Sequence, residues 1–200
     1  MSLTDRILRN PRLYLLWQSP FVWQKLLPVV EENDLSDPGR MLDVGCGPGT
    51  IRSVLPTADY VGIDVSTDYL RYAKQARGGS YVAADAAALP IRESAGFDFV
   101  FVNSLLHHLA TDQVRSMLQS LSEVLAPGGS IHILDLVLGE RPSLARLLAR
   151  MDRGEYPRSS RNCISLFQEY FESTLIREYA VGISGIPVWQ MIYMRGIRKV

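Results

Sequence analysis

Three glycines at alternate positions, Gly45, Gly47 and Gly49, follow a short apolar run that holds one acid, Met41-Leu42-Asp43-Val44. Alternate glycines let the backbone turn sharply and approach a ligand with no Cβ in the way. A loop of this kind beside a helix start also offers N–H groups to a carboxylate or phosphate. Spacing narrows the ligand. The dinucleotide pattern G-x-G-x-x-G would need a glycine at position 50, where this chain has Thr50, and Pro48 has no N–H for a pyrophosphate. Asp43 stands two residues before the first glycine, placed to receive a cation, so the loop suits a zwitterion better than a pyrophosphate. Further along, Asp64 comes 21 residues after Asp43, near the spacing at which nucleotide-binding α/β folds put an acid for ribose hydroxyls. His107 and His108 offer a general base near neutral pH. Neighbouring side chains diverge, so at most one of them reaches a substrate, and the plainer reading of the pair is packing or capping.

These residues sit at the ends of alternating elements. Residues 41–44, 59–64, 80–84, 97–102 and 130–135 read as five strands, the fourth apolar enough to be covered on both faces. Ser66 caps the helix after the second strand. Thr111 can cap another, whose apolar positions Val114, Met117, Leu118, Leu121, Val124 and Leu125 keep the helical period until Pro127-Gly128-Gly129. Such alternation predicts a parallel sheet with right-handed crossovers. Before it, Pro11, Pro20 and Pro28 predict two short helices over residues 11–33, with Tyr14 and Trp17 one turn apart.

The run Leu42-Asp43-Val44-Gly45-Cys46-Gly47-Pro48-Gly49 resembles the first motif of the class I S-adenosylmethionine-dependent methyltransferases, in their type 11 branch. Leu125-Ala126-Pro127-Gly128-Gly129 before a strand is also characteristic of that family, and the likeness covers roughly residues 40 to 137. It implies a Rossmann-like, seven-stranded, mostly parallel sheet with helices on both faces and a short N-terminal helical extension. The last two strands, one antiparallel, would fall at residues 175–181 and 189–197, after a helix near 164–171.

The resemblance also implies roles. Asp43, Gly45, Cys46 and Gly47 would hold the methionine end of S-adenosylmethionine, Asp64 the ribose, and Asp85 and Ala86 the adenine, with Val65 also at the cofactor. Asn103 would lie near the methyl group, and Tyr14 on a segment that closes over the cofactor. By analogy His107 is the better candidate base, with His108 nearer the substrate side. Quinone O-methyltransferases of similar sequence carry carboxylates where this chain has Ser104 and His107, so no metal is expected. An Asp/Asn-Pro-Pro-Tyr run, used on nucleobases, is replaced by Asn103-Ser104-Leu105-Leu106, which disfavours a nucleic-acid acceptor. A nicotinamide-dependent oxidoreductase and a non-catalytic cofactor-binding partner protein remain as rival readings. Thr50 and Pro48 count against the first, and cofactor binding without turnover would favour the second.

Two hundred residues suit one domain over 1–200, with a helical cap at 1–39, a cofactor-binding core at 40–137 and substrate-side elements at 138–200. The 21 basic and 21 acidic residues balance, which gives no support to nucleic-acid or membrane partners. The start has no signal-peptide pattern, no apolar run is long enough for stable membrane insertion, and Cys46 and Cys163 read as free thiols, so cytoplasm is expected. The acceptor is expected to be a small molecule or lipid-like. Residues 141–161 concentrate arginine. Leu144, Leu147, Leu148 and Met151 mark one face of a helix, and Arg146, Arg150 and Arg153 another, with Arg158 and Arg161 behind it. The plain reading is a solvated face. The sharper one is that Arg150, Arg153 and Arg158 grip an anionic acceptor.

Overall fold

The computed structural model describes residues 10–55, 57, 59–91, 96–139 and 155–199. Its centre is a seven-stranded sheet in the order β3-β2-β1-β4-β5-β7-β6. The strands are β1 (Met41–Val44), β2 (Tyr60–Asp64), β3 (Ser80–Ala83), β4 (Phe97–Asn103), β5 (Leu125–Leu136), β6 (Phe171–Ile183) and β7 (Ile186–Arg198). β1 to β5 pair in parallel, and β7 runs antiparallel to both β5 and β6. The expected sheet and its late antiparallel strand are therefore present. Strand order reverses between β1 and β4, and the register aligns Val44 with Ile63 on one side and Val102 on the other. Three carboxyl ends thus open at one point, where open α/β sheets take their ligands.

The pleat sorts the core. Leu42, Val44, Val100 and Val102 turn to the face covered by α4 (Thr111–Val124) and α5 (Ser160–Tyr170), and pack with Val114, Leu118 and Phe167. Met41, Phe99 and Phe101 turn to the other face and pack with Leu26 and Val29 of α1 (Pro11–Glu32) and with Ile51 of α2 (Thr50–Val54). Successive strand residues alternate sides, so one apolar run serves both layers. α3 (Thr67–Arg77) follows β2, with the Ser66 hydroxyl accepting from Tyr69 N at 3.3 Å as expected. α4 departs in detail: its cap residue is Ala110, and Gln113 Oε1 accepts from Ala110 N at 2.9 Å.

The two short N-terminal helices are one. α1 runs through both Pro20 and Pro28. A proline inside a helix leaves the carbonyl four residues earlier without its donor. For Pro20 that carbonyl is Leu16 O, and the Ser19 hydroxyl donates to it at 2.9 Å. Tertiary contacts hold the rest. Gln24 exchanges two hydrogen bonds with Gly182, at 3.1 and 3.0 Å, and Tyr179 Oη donates to Lys25 O at 2.7 Å. At the far end Arg195 donates to Glu32 O at 2.8 Å, filling a carbonyl that the helix end leaves open. The amphipathic helix expected over residues 144–153, with Arg150 and Arg153, lies outside the described residues, as does the Trp17 side chain.

Candidate active site

At the switch point lies a cavity of about 520 Å³ bordered by Gly45 and Gly47, by Asp64 to Tyr69, by Asn103, Ser104, Leu105 and His108, and by Tyr14 of α1. Gly45, Gly47 and Gly49 all have left-handed φ, at 72°, 52° and 74°. A Cβ on Gly47 would meet nothing within 4 Å, which leaves that stretch of backbone open to a ligand, whereas one on Gly45 would stand 3.1 Å from Leu105. The N–H groups of the loop have partners inside the protein. Gly45 N and Cys46 N donate to Ile63 O, Gly49 N to Cys46 O, and Gly47 N to Asp64 Oδ2 at 2.8 Å. α2 has only five residues. The expected anion cradle at a helix start is thus corrected: the glycines give close approach, while the donors rigidify the loop.

Charge in the site is acidic. Asp64 is half-buried, its Oδ1 accepts from Ser66 N at 2.8 Å, and its second oxygen takes Gly47 N. A carboxylate has about four acceptor positions, so room remains for a hydroxyl pair. Burial raises its pKa against the lowering effect of those backbone donors. Asp43 is buried beneath the loop and does not border the cavity. Tyr60 Oη donates to its Oδ2 at 2.6 Å. Burial, opposed by that hydrogen bond and helped by the Asp64 charge, pushes the Asp43 carboxyl up to about 7. Cys46 turns inward: its Sγ would be 2.9 Å from a Cβ on Gly62, so only its backbone can touch a ligand, and burial pushes its thiol up.

Other expected residues divide. Val65 is exposed and borders the cavity, as do Asn103 and Tyr14, whose ring stands 5.3 Å from that of Tyr69. Asp85 and Ala86 follow β3 and are not among the lining residues. The Asp85 carboxylate accepts from Ala87 N at 2.9 Å and starts a 3₁₀ turn. His107 is buried and turned from the cavity, with Nδ1 against Asp135 Oδ1 and its backbone N–H donating to Asp135 Oδ2 at 3.2 Å. His108 is the one that borders the cavity.

Arg158 is likewise not at the cavity. It is buried, and its guanidinium donates to Leu106 O at 2.6 Å, Leu109 O at 2.7 Å, Tyr156 O at 3.2 Å and Thr111 Oγ1 at 3.3 Å. With Tyr156 N donating to His107 O at 3.0 Å, it clamps the loop that carries the histidines. Tyr69 borders the cavity without having been singled out, and Ser104, noted in the sequence only for standing where relatives carry a carboxylate, borders it too. Ser104 takes φ of 54°, which no local sequence pattern announces for a serine. Among the described residues, no three metal-binding side chains gather closely enough to hold an ion, and no helix is long and apolar enough to cross a membrane.

Comparison with known proteins agrees with this geometry. Residues 42–133 match the family model described as a methyltransferase domain. The chain is 32% identical over 112 residues to tRNA (carboxymethyluridine(34)-5-O)-methyltransferase of Arabidopsis thaliana, covering 56% of this chain and 27% of that protein. It is 30% identical over 181 residues to trans-aconitate 2-methyltransferase of Methylobacterium nodulans, covering 82% of this chain and 64% of the relative. Malonyl-[acyl-carrier protein] O-methyltransferase of Pseudescherichia vulneris is 32% identical over 118 residues, 58% of this chain and 46% of the relative. The chain thus spans from about a quarter to just under two thirds of the length of these relatives. Among solved structures, the N-methyltransferase NodS from Bradyrhizobium japonicum, in complex with S-adenosyl-L-homocysteine, has the same fold, with a TM-score of 0.68 at 19% identity over 88% of this chain and 85% of that one. The cofactor of such a domain is S-adenosylmethionine, and the open Gly47, the half-buried Asp64 and the acid-lined cavity fit its cationic centre. Residues 42–133 thus match a methyltransferase domain, and the sheet order and glycine loop around them are carried on the fold of a known S-adenosyl-L-homocysteine-bound methyltransferase.

Proposed function

We propose that the protein transfers the methyl group of S-adenosylmethionine to a small-molecule or lipid-like acceptor that carries negative charge. The observation that carries this is the meeting of the glycine loop, Asp64, Asn103 and His108 around one cavity at the switch point. Methyl transfer from a sulfonium is an in-line displacement with a charged leaving group, so position and exclusion of water are the main demands on the protein. In this reading Asp64 and Val65 hold the ribose, Asp85 and Ala86 the adenine, and Asp43, Gly45, Cys46 and Gly47 the methionine end, the cysteine by its backbone. Asn103 and Tyr14 flank the methyl group, and His108 takes the acceptor proton. Relatives named for trans-aconitate and malonyl-[acyl-carrier protein] support a small acceptor. One named for tRNA supports a nucleic-acid acceptor instead, which the balanced charge of this chain disfavours. Two free, buried thiols suit a reducing compartment such as the cytoplasm.

Calorimetry with S-adenosyl-L-homocysteine and with NAD tests the cofactor, and mass spectrometry of ligands that co-purify tests the acceptor. Binding of S-adenosyl-L-homocysteine and not NAD is expected. NAD binding alone would overturn the reading in favour of hydride transfer. Cofactor binding without turnover on a broad acceptor panel, tRNA included, would favour a non-catalytic role.

A further inference from the structure

α1 is apolar on two opposite sides. Phe21, Leu26 and Val29 are buried on the sheet. On the other side Leu13, Leu16, Pro20, Trp23, Leu27 and Val30 follow one another at alternating steps of three and four residues, which lines all of them along one face of a helix. Leu13, Leu16 and Trp23 are 43%, 71% and 57% exposed, Pro20 is exposed, and Leu27 and Val30 are half-buried. Apolar side chains exposed singly are ordinary on a protein surface, whereas a continuous stripe of them marks a face that something covers. The turn between β6 and β7 extends the stripe sideways: Ile183 and Ile186 are more than half exposed there, next to the Gly182 that exchanges hydrogen bonds with Gln24.

We propose that this face pairs with the same face of a second copy of the chain, the two α1 helices running antiparallel about a two-fold axis between Pro20 and Trp23. The stripe is self-complementary in that orientation, as a closed two-fold interface requires. Turned end for end, it sets Leu13 against the partner's Val30, Leu16 against the partner's Leu27, and Pro20 against the partner's Trp23, so that the largest side chain meets a small ring at the axis. Charge has the matching sense. The first turn holds Arg12 and no acid, and the last holds Glu31 and Glu32 and no base. Arg177 of β6 pairs with both acids, at 2.7 and 3.2 Å, one base for two charges, and Arg195 is turned to Glu32 O and Asn33 Oδ1. Antiparallel pairing lays the Arg12 end over the acidic end, whereas parallel pairing would lay like on like. With the hairpin turn, the 22-residue helix offers a face about 33 Å long and about 15 Å wide, which reaches the roughly 1,000 Å² in total that a specific interface needs. A lipid surface is the poorer match, because helices that lie on membranes flank their apolar face with basic residues, and α1 has only Arg12 and the buried Lys25. Tyr14, which borders the cofactor cavity, stands on the inner side of the helix, so the pairing does not draw on that site or on the methyltransferase reading.

Sedimentation velocity of the full chain across the micromolar range should show a species of twice 22.4 kDa. Leu16→Asp and Trp23→Asp, at exposed positions that a lone chain tolerates, should each raise the dissociation constant of the dimer at least tenfold and keep the wild-type circular dichroism spectrum. Disulfide trapping reads the orientation. Under mild oxidation, Leu16→Cys protein mixed with Leu27→Cys protein should give a covalent dimer and neither should alone, because an antiparallel pair sets each position against the other and about 16 Å from its own copy. Cys46 and Cys163 are buried and give no background. A monomer throughout, a dimer that Leu16→Asp and Trp23→Asp leave intact, or a covalent dimer from Leu16→Cys alone would overturn the proposal. So would flotation of wild-type monomer with vesicles of phosphatidylcholine and phosphatidylglycerol that Trp23→Asp prevents, which would assign the stripe to a lipid surface. If either acidic variant does not fold, the wild-type mass and the trapping decide.

Discussion

At the scale of single residues, carboxylates and histidines in and beside the cavity stand in unlike surroundings. Asp64 serves the loop through Gly47 N and faces the cavity with its remaining acceptor positions. Removing such an acceptor costs about 1.5–3 kcal/mol, so Asp64→Ala should weaken S-adenosyl-L-homocysteine binding roughly ten- to a hundredfold by calorimetry. An unchanged affinity would remove Asp64 from the cofactor site. The two histidines separate in the same way. His108→Gln should lower turnover by about 10²–10⁴ with cofactor affinity intact, as for loss of a general base. His107→Gln should instead lower the melting temperature, because it breaks the buried contact with Asp135. The opposite pattern, with His107→Gln folded and inactive, would restore His107 as the base.

At the scale of elements, the loop after β4 is held between two others. β5 supplies Asp135 to His107, and the strand-like residue before α5, Arg158, bridges to Val137 and satisfies carbonyls of the loop. Arginine fits because its planar fork reaches two carbonyls at once, which an ammonium does not. Arg158→Met would leave buried carbonyls without donors at about 3 kcal/mol, a fall in melting temperature of roughly 6–12 °C for a chain of this size. Arg158→Lys should recover less than half of the loss. Calorimetric melts of both variants check this, and a wild-type melt for Arg158→Met would show that the clamp holds nothing.

For the whole molecule, two buried groups on opposite pH slopes shape stability. His132 lies between Ser130 Oγ and Tyr193 Oη, each at 2.8 Å, and burial lowers its pKa from 6.5 to about 3. The unfolded chain takes up this proton first, so the His132 contribution is present above pH 6.5 and is lost as pH falls toward 3. Asp43 has the reverse sign. Its folded pKa of about 7 lies above the ordinary 3.8, so its contribution is present below pH 3.8 and is lost as pH rises through 7. Between 3.8 and 6.5 the two slopes offset, each at about 1.4 kcal/mol per pH unit. Asp43→Asn should therefore expose a stability that falls with acid below pH 6.5, and His132→Gln one that falls with rising pH up to about 7. Urea unfolding across pH 4 to 8 tests both, and parallel profiles for the two variants would refute the assignment.

The sequence by itself determined the sheet and the cofactor loop, because both rest on short-range pattern. Apolar runs at residues 41–44 and 97–102 have to be covered on both faces, and glycines at 45, 47 and 49 are the residues that accept the left-handed φ found there. Tertiary structure decided what depends on neighbours far along the chain. Leu16 O is rescued by Ser19, and the hairpin of β6 and β7 grips Gln24, which turns two expected helices into one. Arg158 looks like a surface charge until Leu106 and Leu109 present their carbonyls to it. Which of two adjacent histidines borders the cavity follows from Asp135, 28 residues beyond His107. Composition and spacing name the groups that can do chemistry; where their side chains point is set by partners with no signature in the local sequence.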